Sequence, residues 1–236
     1  MKEQEKNAHI LDEYVDLVAQ VMAEMKGRRG GFDPKAASQE ISCFLDLPRE
    51  DILSILENPS VEYYPDVPYY LQLLNEEEAC ATIWTQGMLP GFQELKGIKS
   101  GLIHLLTPFS PRVFSAEGAI LTGGPDKTDP HVLDPLIWAA IGAGRSIVGV
   151  DDLASNLEKL QLAAEEVGCR FTGYQICRDR QVSSNGSFPV VKSLFEIPIS
   201  PWEWHILDLD RTCIDTDAMK SDWYQRIATL LPYPSV

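Results

Sequence analysis

Trp204-His205-Ile206-Leu207-Asp208-Leu209-Asp210-Arg211-Thr212-Cys213-Ile214-Asp215-Thr216 is the stretch on which the reading of the fold turns. A short apolar run, Ile206-Leu207, delivers two carboxylates separated by one residue, and the hydroxyl of Thr212 follows. Side chains alternate faces along a strand, so Asp208 and Asp210 are expected to project together while Leu209 enters the core. Two carboxylates at the end of a buried strand repel each other unless a cation or a shared proton lies between them. Mg²⁺ suits such a place, because it takes oxygen ligands and retains waters that a phosphate can replace. The plainer alternative is a strand that stops in an acidic, solvated turn.

Upstream of this stretch, apolar runs alternate with amphipathic ones. Ala79-Cys80-Ala81-Thr82-Ile83-Trp84-Thr85-Gln86-Gly87 reads as a buried strand, Arg112-Val113-Phe114 as another, and Arg145 to Asp152 as a third that ends in two carboxylates. Phe171 to Ile176 reads as a further strand. Helical spacing is expected over Tyr69 to Asn75, Phe92 to Leu106, His131 to Ile141, Leu157 to Val167 and Asp217 to Leu231. Strands that alternate with helices predict an α/β fold with a doubly wound parallel sheet, in which ligands bind beyond the carboxyl ends of the strands. Thr85, Asp151, Asp152, Asp208 and Asp210 gather at three such ends.

The first sixty residues differ. Ile10 to Met25 has helical spacing that is expected to stop at Gly27, with a loop over Gly27-Arg28-Arg29-Gly30-Gly31. Helices are also expected from Pro34 to Leu45 and from Pro48 to Leu56. The division predicted is a helical unit over 1–60, completed by 217–236, and a core over 61–216. Arg178 to Phe188 is polar and turn-rich, and is expected to be the least ordered segment.

Composition narrows the function classes. Of 236 residues, 44% are hydrophobic and 23% charged, as in ordinary globular proteins. A net charge of −15 argues against nucleic acid as a partner, since that footprint is clustered Lys and Arg. It leaves room for a small phosphorylated substrate, because a bound divalent ion reverses the local field. No apolar run approaches the roughly 20 residues that span a bilayer, and MKEQEKNAH lacks a signal-peptide core. The five cysteines are scattered, with no C-x-x-C pair, so reduced thiols and a cytoplasmic location are expected. Cys213 is expected to be a small buried thiol.

These residues resemble the haloacid dehalogenase superfamily of phosphohydrolases, whose core is Rossmann-like and carries a cap. The family's first motif, an apolar strand followed by D-x-D-x-T, is similar to Ile206 to Thr212. The second, a strand ending in Thr or Ser, resembles Thr82-Ile83-Trp84-Thr85, preceded by the helix opening Tyr64-Pro65-Asp66-Val67-Pro68. The third, a lysine before a helix, is similar to Lys127-Thr128-Asp129-Pro130; Lys96 and Lys99 are poorer matches because they fall inside an expected helix. The fourth resembles Val148-Gly149-Val150-Asp151-Asp152, with Asn156 where many members have a further Asp. The resemblance covers about residues 61 to 217.

The order departs from the family, in which the D-x-D-x-T strand comes first. Here it comes last, and joining Val236 to Met1 restores the usual succession, which implies a circular permutation. Permutation is tolerated where a break falls in exposed sequence and termini lie close together. It requires the Trp204–Asp208 strand to lie centrally in the sheet, beside Ala81–Thr85. Arg211 is a second departure, standing where glycine is usual; narrowing of the site entrance and contact with substrate are both open to it. Ile147 to Leu157 also resembles the opening strand of a response-regulator receiver domain, but only 28 residues follow Asp208, too few for the remaining strands of a receiver.

The resemblance implies a Mg²⁺-dependent phosphatase in which Asp208 is the nucleophile and forms an aspartyl-phosphate. Asp210 would be the general acid and base, which calls for a raised pKa beside its partner carboxylate. Mg²⁺ would be held by Asp208, the main-chain carbonyl of Asp210, and Asp152, with Asp151 as alternative or support. Thr85 and Lys127 would bind the phosphoryl oxygens. The plainer alternatives are a helix cap for Thr85, an exposed loop lysine for Lys127 and an N-cap of the Leu157 helix for Asp151-Asp152. For the whole chain, the alternative is a catalytically silent regulatory or binding module.

Overall fold

The computed structural model describes residues 2–29, 32–85, 92–109, 113–115, 133–178 and 186–232. Two compact units emerge, one of residues 1–61 with 216–236 and one of residues 62–215.

The first unit is helical: α1 (Lys2–Arg29), α2 (Pro34–Leu45), α3 (Arg49–Glu57) and, from the end of the chain, the helix Thr216–Ala228. Asp33 opens α2 by accepting hydrogen bonds from the amides of Lys35 and Ala36 at 2.8 and 3.3 Å, with Pro34 in the first turn. α1 runs on to Arg29 instead of ending at Gly27. A helix-interior glycine costs only about 1 kcal/mol relative to alanine, too little to stop a long helix by itself. Ile41, Ile52, Leu56 and Trp223 form its interior, and the Trp223 indole stacks on Phe32 at 4.9 Å between centroids.

The second unit is built on a six-stranded sheet, every pairing of which is parallel. The strands are β1 (Cys80–Thr85), β2 (Val113–Ser115), β3 (Ser146–Asp151), β4 (Phe171–Ile176), β5 (Val190–Val191) and β6 (Glu203–Leu207). They lie in the order β2-β1-β6-β3-β4-β5. β6 is thus an interior strand between β1 and β3, the place required of it above. Counted from β6 and continued with β1, the order becomes 3-2-1-4-5-6, that of the Rossmann sheet. β1, β3 and β6 are apolar and buried almost throughout, as parallel strands covered on both faces must be.

Alternation along the strands divides the cover. Trp84, Ile147, Trp204 and Ile206 face the helices α7 (Asp134–Gly142) and α8 (Ala154–Glu166) through Leu136, Ile137, Leu160 and Ala164. The opposite face, with His205, meets α4 (Val67–Glu76) at Tyr70. The helix expected over Phe92 to Leu106 is two helices, α5 (Phe92–Ser100) and α6 (Leu102–Leu105). Gly101 separates them at a φ of 81°, a conformation that glycine adopts without a Cβ clash. The helix Thr216–Ala228 of the first unit is α9. Among the described residues no helix is long and apolar enough to cross a membrane, and none of the five cysteines is in a disulfide.

Tyr70 and His205 are both fully buried, and the phenol oxygen lies 2.8 Å from Nδ1 of the imidazole. Burial lowers the His205 pKa below its ordinary 6.5, while Glu203, 3.5 Å away, opposes the shift. Below pH 6.5 the unfolded chain therefore takes up a proton that the folded one resists, and stability falls as pH falls. Denaturant titrations between pH 8 and 5 are expected to show that decline, and His205→Gln should flatten it; an unchanged slope in the variant would assign it to other groups.

Candidate functional site at the carboxyl edge of the sheet

Register brings the acidic residues together. Ile83 of β1 and Val150 of β3 both pair with Leu207, so β6 reaches its end alongside the ends of its two neighbours. Asp208 is the next residue, anchored by its amide to the Val150 carbonyl at 2.8 Å. Asp151 closes β3, and Asp152 follows. One carboxylate oxygen each from Asp151, Asp152 and Asp208 lies within 4.8 Å of the others, the only group of three or more acidic, His or Cys side chains so placed among the described residues. Asp151 and Asp208 are buried and Asp152 is half-buried. At an effective dielectric of about 20, unit charges this close repel by roughly 3–4 kcal/mol per pair. Such a cluster needs compensation.

Part of it is built in. Oδ1 of Asp151 accepts the Leu153 amide at 2.8 Å, and Nδ2 of Asn156 donates to both Asp151 oxygens at 3.0 Å. An aspartate at 156 would add a negative charge where the carboxamide now supplies a donor. Asp151 and Asp152 do not cap α8, whose N-cap position is Leu153 with no side-chain cap. Nη1 of Arg211 lies 3.8 Å from Oδ2 of Asp152. Arg211 has a φ of 61°, in the left-handed region. That conformation costs a side-chain-bearing residue about 1–2 kcal/mol, which is the physical reason for glycine to be favoured at such a position.

Asp210 lies in the turn that follows β6. β6 ends at Leu207, the chain turns, and the amides of Cys213 and Ile214 close on the Leu209 carbonyl at 3.0 Å. The Asp210 carboxylate is therefore not a member of the three-carboxylate group. Its oxygens receive Lys96 Nζ at 2.5 and 2.8 Å and Gln93 Nε2 at 3.1 Å. Lys96, the poorer match to the third motif for lying inside an expected helix, reaches Asp210 from that helix. Gln93 and Lys96, three apart on α5, share one helical face and are both buried. The helix is what aims the ammonium. A lysine only 4% exposed needs a counter-charge, and Asp210 supplies one.

Thr85 is the last residue of β1, 1% exposed, on the strand beside β6. Lys127, Gln86 and the 122–132 segment lie outside the described residues. Beneath the acidic loop lies Arg178, the first residue of the segment expected to be least ordered, of which 179–185 fall outside the described residues. Its Nη1 lies 2.5 Å from Oδ2 of Asp66, its Nη2 donates to the Thr212 carbonyl at 2.6 Å, and its guanidinium carbon stands 4.3 Å from the Tyr64 ring centre. The same Asp66 oxygen accepts from the Ser193 hydroxyl and the Leu194 amide, each at 2.8 Å. Burial alone would raise the Asp66 pKa, but the Arg178, Leu194 and Ser193 donors outweigh it and hold the carboxyl below its usual value. Cys213 is buried, and burial, with the Asp208 and Asp66 charges adding and Arg178 opposing, pushes its thiol well up, away from nucleophilic use.

The class defined by fold and site is a Rossmann-like α/β protein with a carboxylate cluster where the strand order reverses. The chain matches no family model, no curated protein and no solved structure. As a donor set, three carboxylates supply the hard oxygen ligands that a divalent cation such as Mg²⁺ takes.

Proposed function

We propose that this protein is a Mg²⁺-dependent hydrolase of small phosphomonoesters that works through an aspartyl-phosphate on Asp208. The observation that carries the reading is the convergence of Asp208, Asp151 and Asp152 at adjacent ends of the two central strands. Their mutual repulsion is the electrostatic condition that a divalent cation relieves. Asp208, Asp151, Asp152 and the main-chain carbonyl of Asp210 are the groups to hold Mg²⁺, whose contribution there is to offset charge on phosphoryl oxygens.

The chain's own residues supply the rest. An Asp208 oxygen attacks phosphorus as the P–O bond to the leaving group breaks, and Asp210 in its protonated form donates the proton that the departing oxygen takes up, leaving the ionised carboxylate that pairs with the Lys96 ammonium. Asp210 then removes a proton from the water that attacks the aspartyl-phosphate, releasing inorganic phosphate and restoring Asp208. Lys96 and Gln93 hold the Asp210 carboxyl in position. Thr85 and Lys127 keep the role of binding phosphoryl oxygens. The Rossmann order counted from β6 supports a circular permutation of the haloacid dehalogenase arrangement.

The test is phosphate release from p-nitrophenyl phosphate and a panel of phosphorylated metabolites, with Mg²⁺ and with a chelator. Mg²⁺-dependent release is expected. A second reading, a catalytically silent regulatory or binding module, is favoured by the cations already seated at the site, Lys96 on Asp210 and Arg211 near Asp152. Phosphate release at the chelator level across the whole panel would select that reading.

A further inference from the structure

We propose that Arg178 is a positioning residue for the acidic site, which it serves by clamping the loop that carries Asp210 and Arg211; its catalytic consequence rests on the hydrolase reading above. The guanidinium spans two acceptors from distant parts of the chain, the Asp66 carboxylate ahead of α4 and the Thr212 carbonyl inside the acidic loop. Both charged side chains are only 9% exposed. The loop is tied to the same strip of chain by its backbone. The Tyr64 amide donates to the Cys213 carbonyl at 3.0 Å, and Tyr63 bridges Ile214. Asp66 is itself held by Ser193 and Leu194, so the clamp has a fixed base.

A buried ion pair is a poor source of net stability, because desolvation consumes most of what the charges gain. Its planar fork, by contrast, defines direction at two acceptors at once, which a lysine ammonium cannot reproduce. The clamp acts at Thr212, two residues from Asp210, and next to Arg211, whose left-handed backbone must be held against its own preference. Positioning is the property that this arrangement supplies.

Arg178→Lys and Asp66→Asn in the full chain test it by three readouts: backbone amide exchange, Mg²⁺ affinity by titration calorimetry, and steady-state kinetics with p-nitrophenyl phosphate. In both variants the amides of Arg211, Cys213 and Ile214 are expected to lose protection while those of β3 and β6 keep theirs. Mg²⁺ affinity and kcat should fall by roughly 10- to 100-fold, with KM nearly unchanged, the size seen when a group supporting metal ligands is removed. Unchanged loop protection in a folded Arg178→Lys overturns the proposal. So does loss of protection throughout the sheet in both variants, which would make the pair a general fold determinant. If the wild type neither binds Mg²⁺ nor releases phosphate, the hydrolase reading fails, and the exchange result still decides whether Arg178 clamps the loop.

Discussion

Asp208→Asn is expected to abolish phosphate release, by about 10⁴-fold or more if Asp208 is the nucleophile. Asparagine keeps the shape of the side chain and leaves the amide anchor to Val150 intact, so the fold has no reason to change. What disappears is the attacking oxygen and one of three converging negative charges. The second loss has an opposite effect on stability. Relieving repulsion of a few kcal/mol within the cluster should raise the Tm of the Mg²⁺-free protein, by roughly 2–4 °C per kcal/mol for a chain of this size. The same change should weaken Mg²⁺ binding, so the stabilisation of the wild type by added Mg²⁺ should shrink in the variant. Lost turnover with a raised metal-free Tm separates a chemical role from misfolding. A variant that loses both turnover and stability would assign Asp208 to the structure instead.

Lys96→Met carries the second large effect, a loss in kcat/KM of roughly 10²- to 10³-fold, as for removal of a positioned charged group from a catalytic centre. Methionine preserves the apolar stem along α5 and removes only the ammonium that meets both Asp210 oxygens. Asp210 is 34% exposed, so water can take over part of its solvation and the stability change should be small. The comparison is Lys127→Met. If the geometry at Asp210 governs the chemistry, Lys96→Met is the more damaging of the two. A larger loss in Lys127→Met would return the principal role to the loop lysine that the motif comparison favoured.

How far the sequence led can be judged from these lysines. β1, β3 and β6 are mostly apolar and buried, since both their faces are covered, and such runs point to strands in a parallel sheet. The acidic ends of β3 and β6 are legible because paired carboxylates at the end of a buried strand repel each other and need compensation. Their convergence depends on strand order, which sets β6 beside β3. Lys96 falls inside a helical pattern, which makes it a poorer match to a lysine that precedes a helix. The readable signal was its spacing from Gln93, which sets two polar side chains on one face of α5. Arg178 had no local signal. Its partners, Asp66 and Thr212, are 112 and 34 residues away in the chain, and a polar, turn-rich neighbourhood resembles solvent-exposed sequence however deeply one guanidinium is buried. Arg211 stands out in the sequence as a departure from glycine, but its left-handed backbone and its approach to Asp152 belong to the three-dimensional turn.

Asp208 as a covalent nucleophile is the central claim, and rapid acid quench during turnover with Mg²⁺ and a phosphorylated substrate tests it most directly. Intact-mass and peptide analysis of the quenched wild type is expected to show a phosphoryl adduct confined to the peptide that contains Asp208. The adduct should be stable in acid, discharged by hydroxylamine as an acyl phosphate is, and absent from Asp208→Asn. Sustained phosphate release with no adduct, or with the adduct on another residue, would contradict the account.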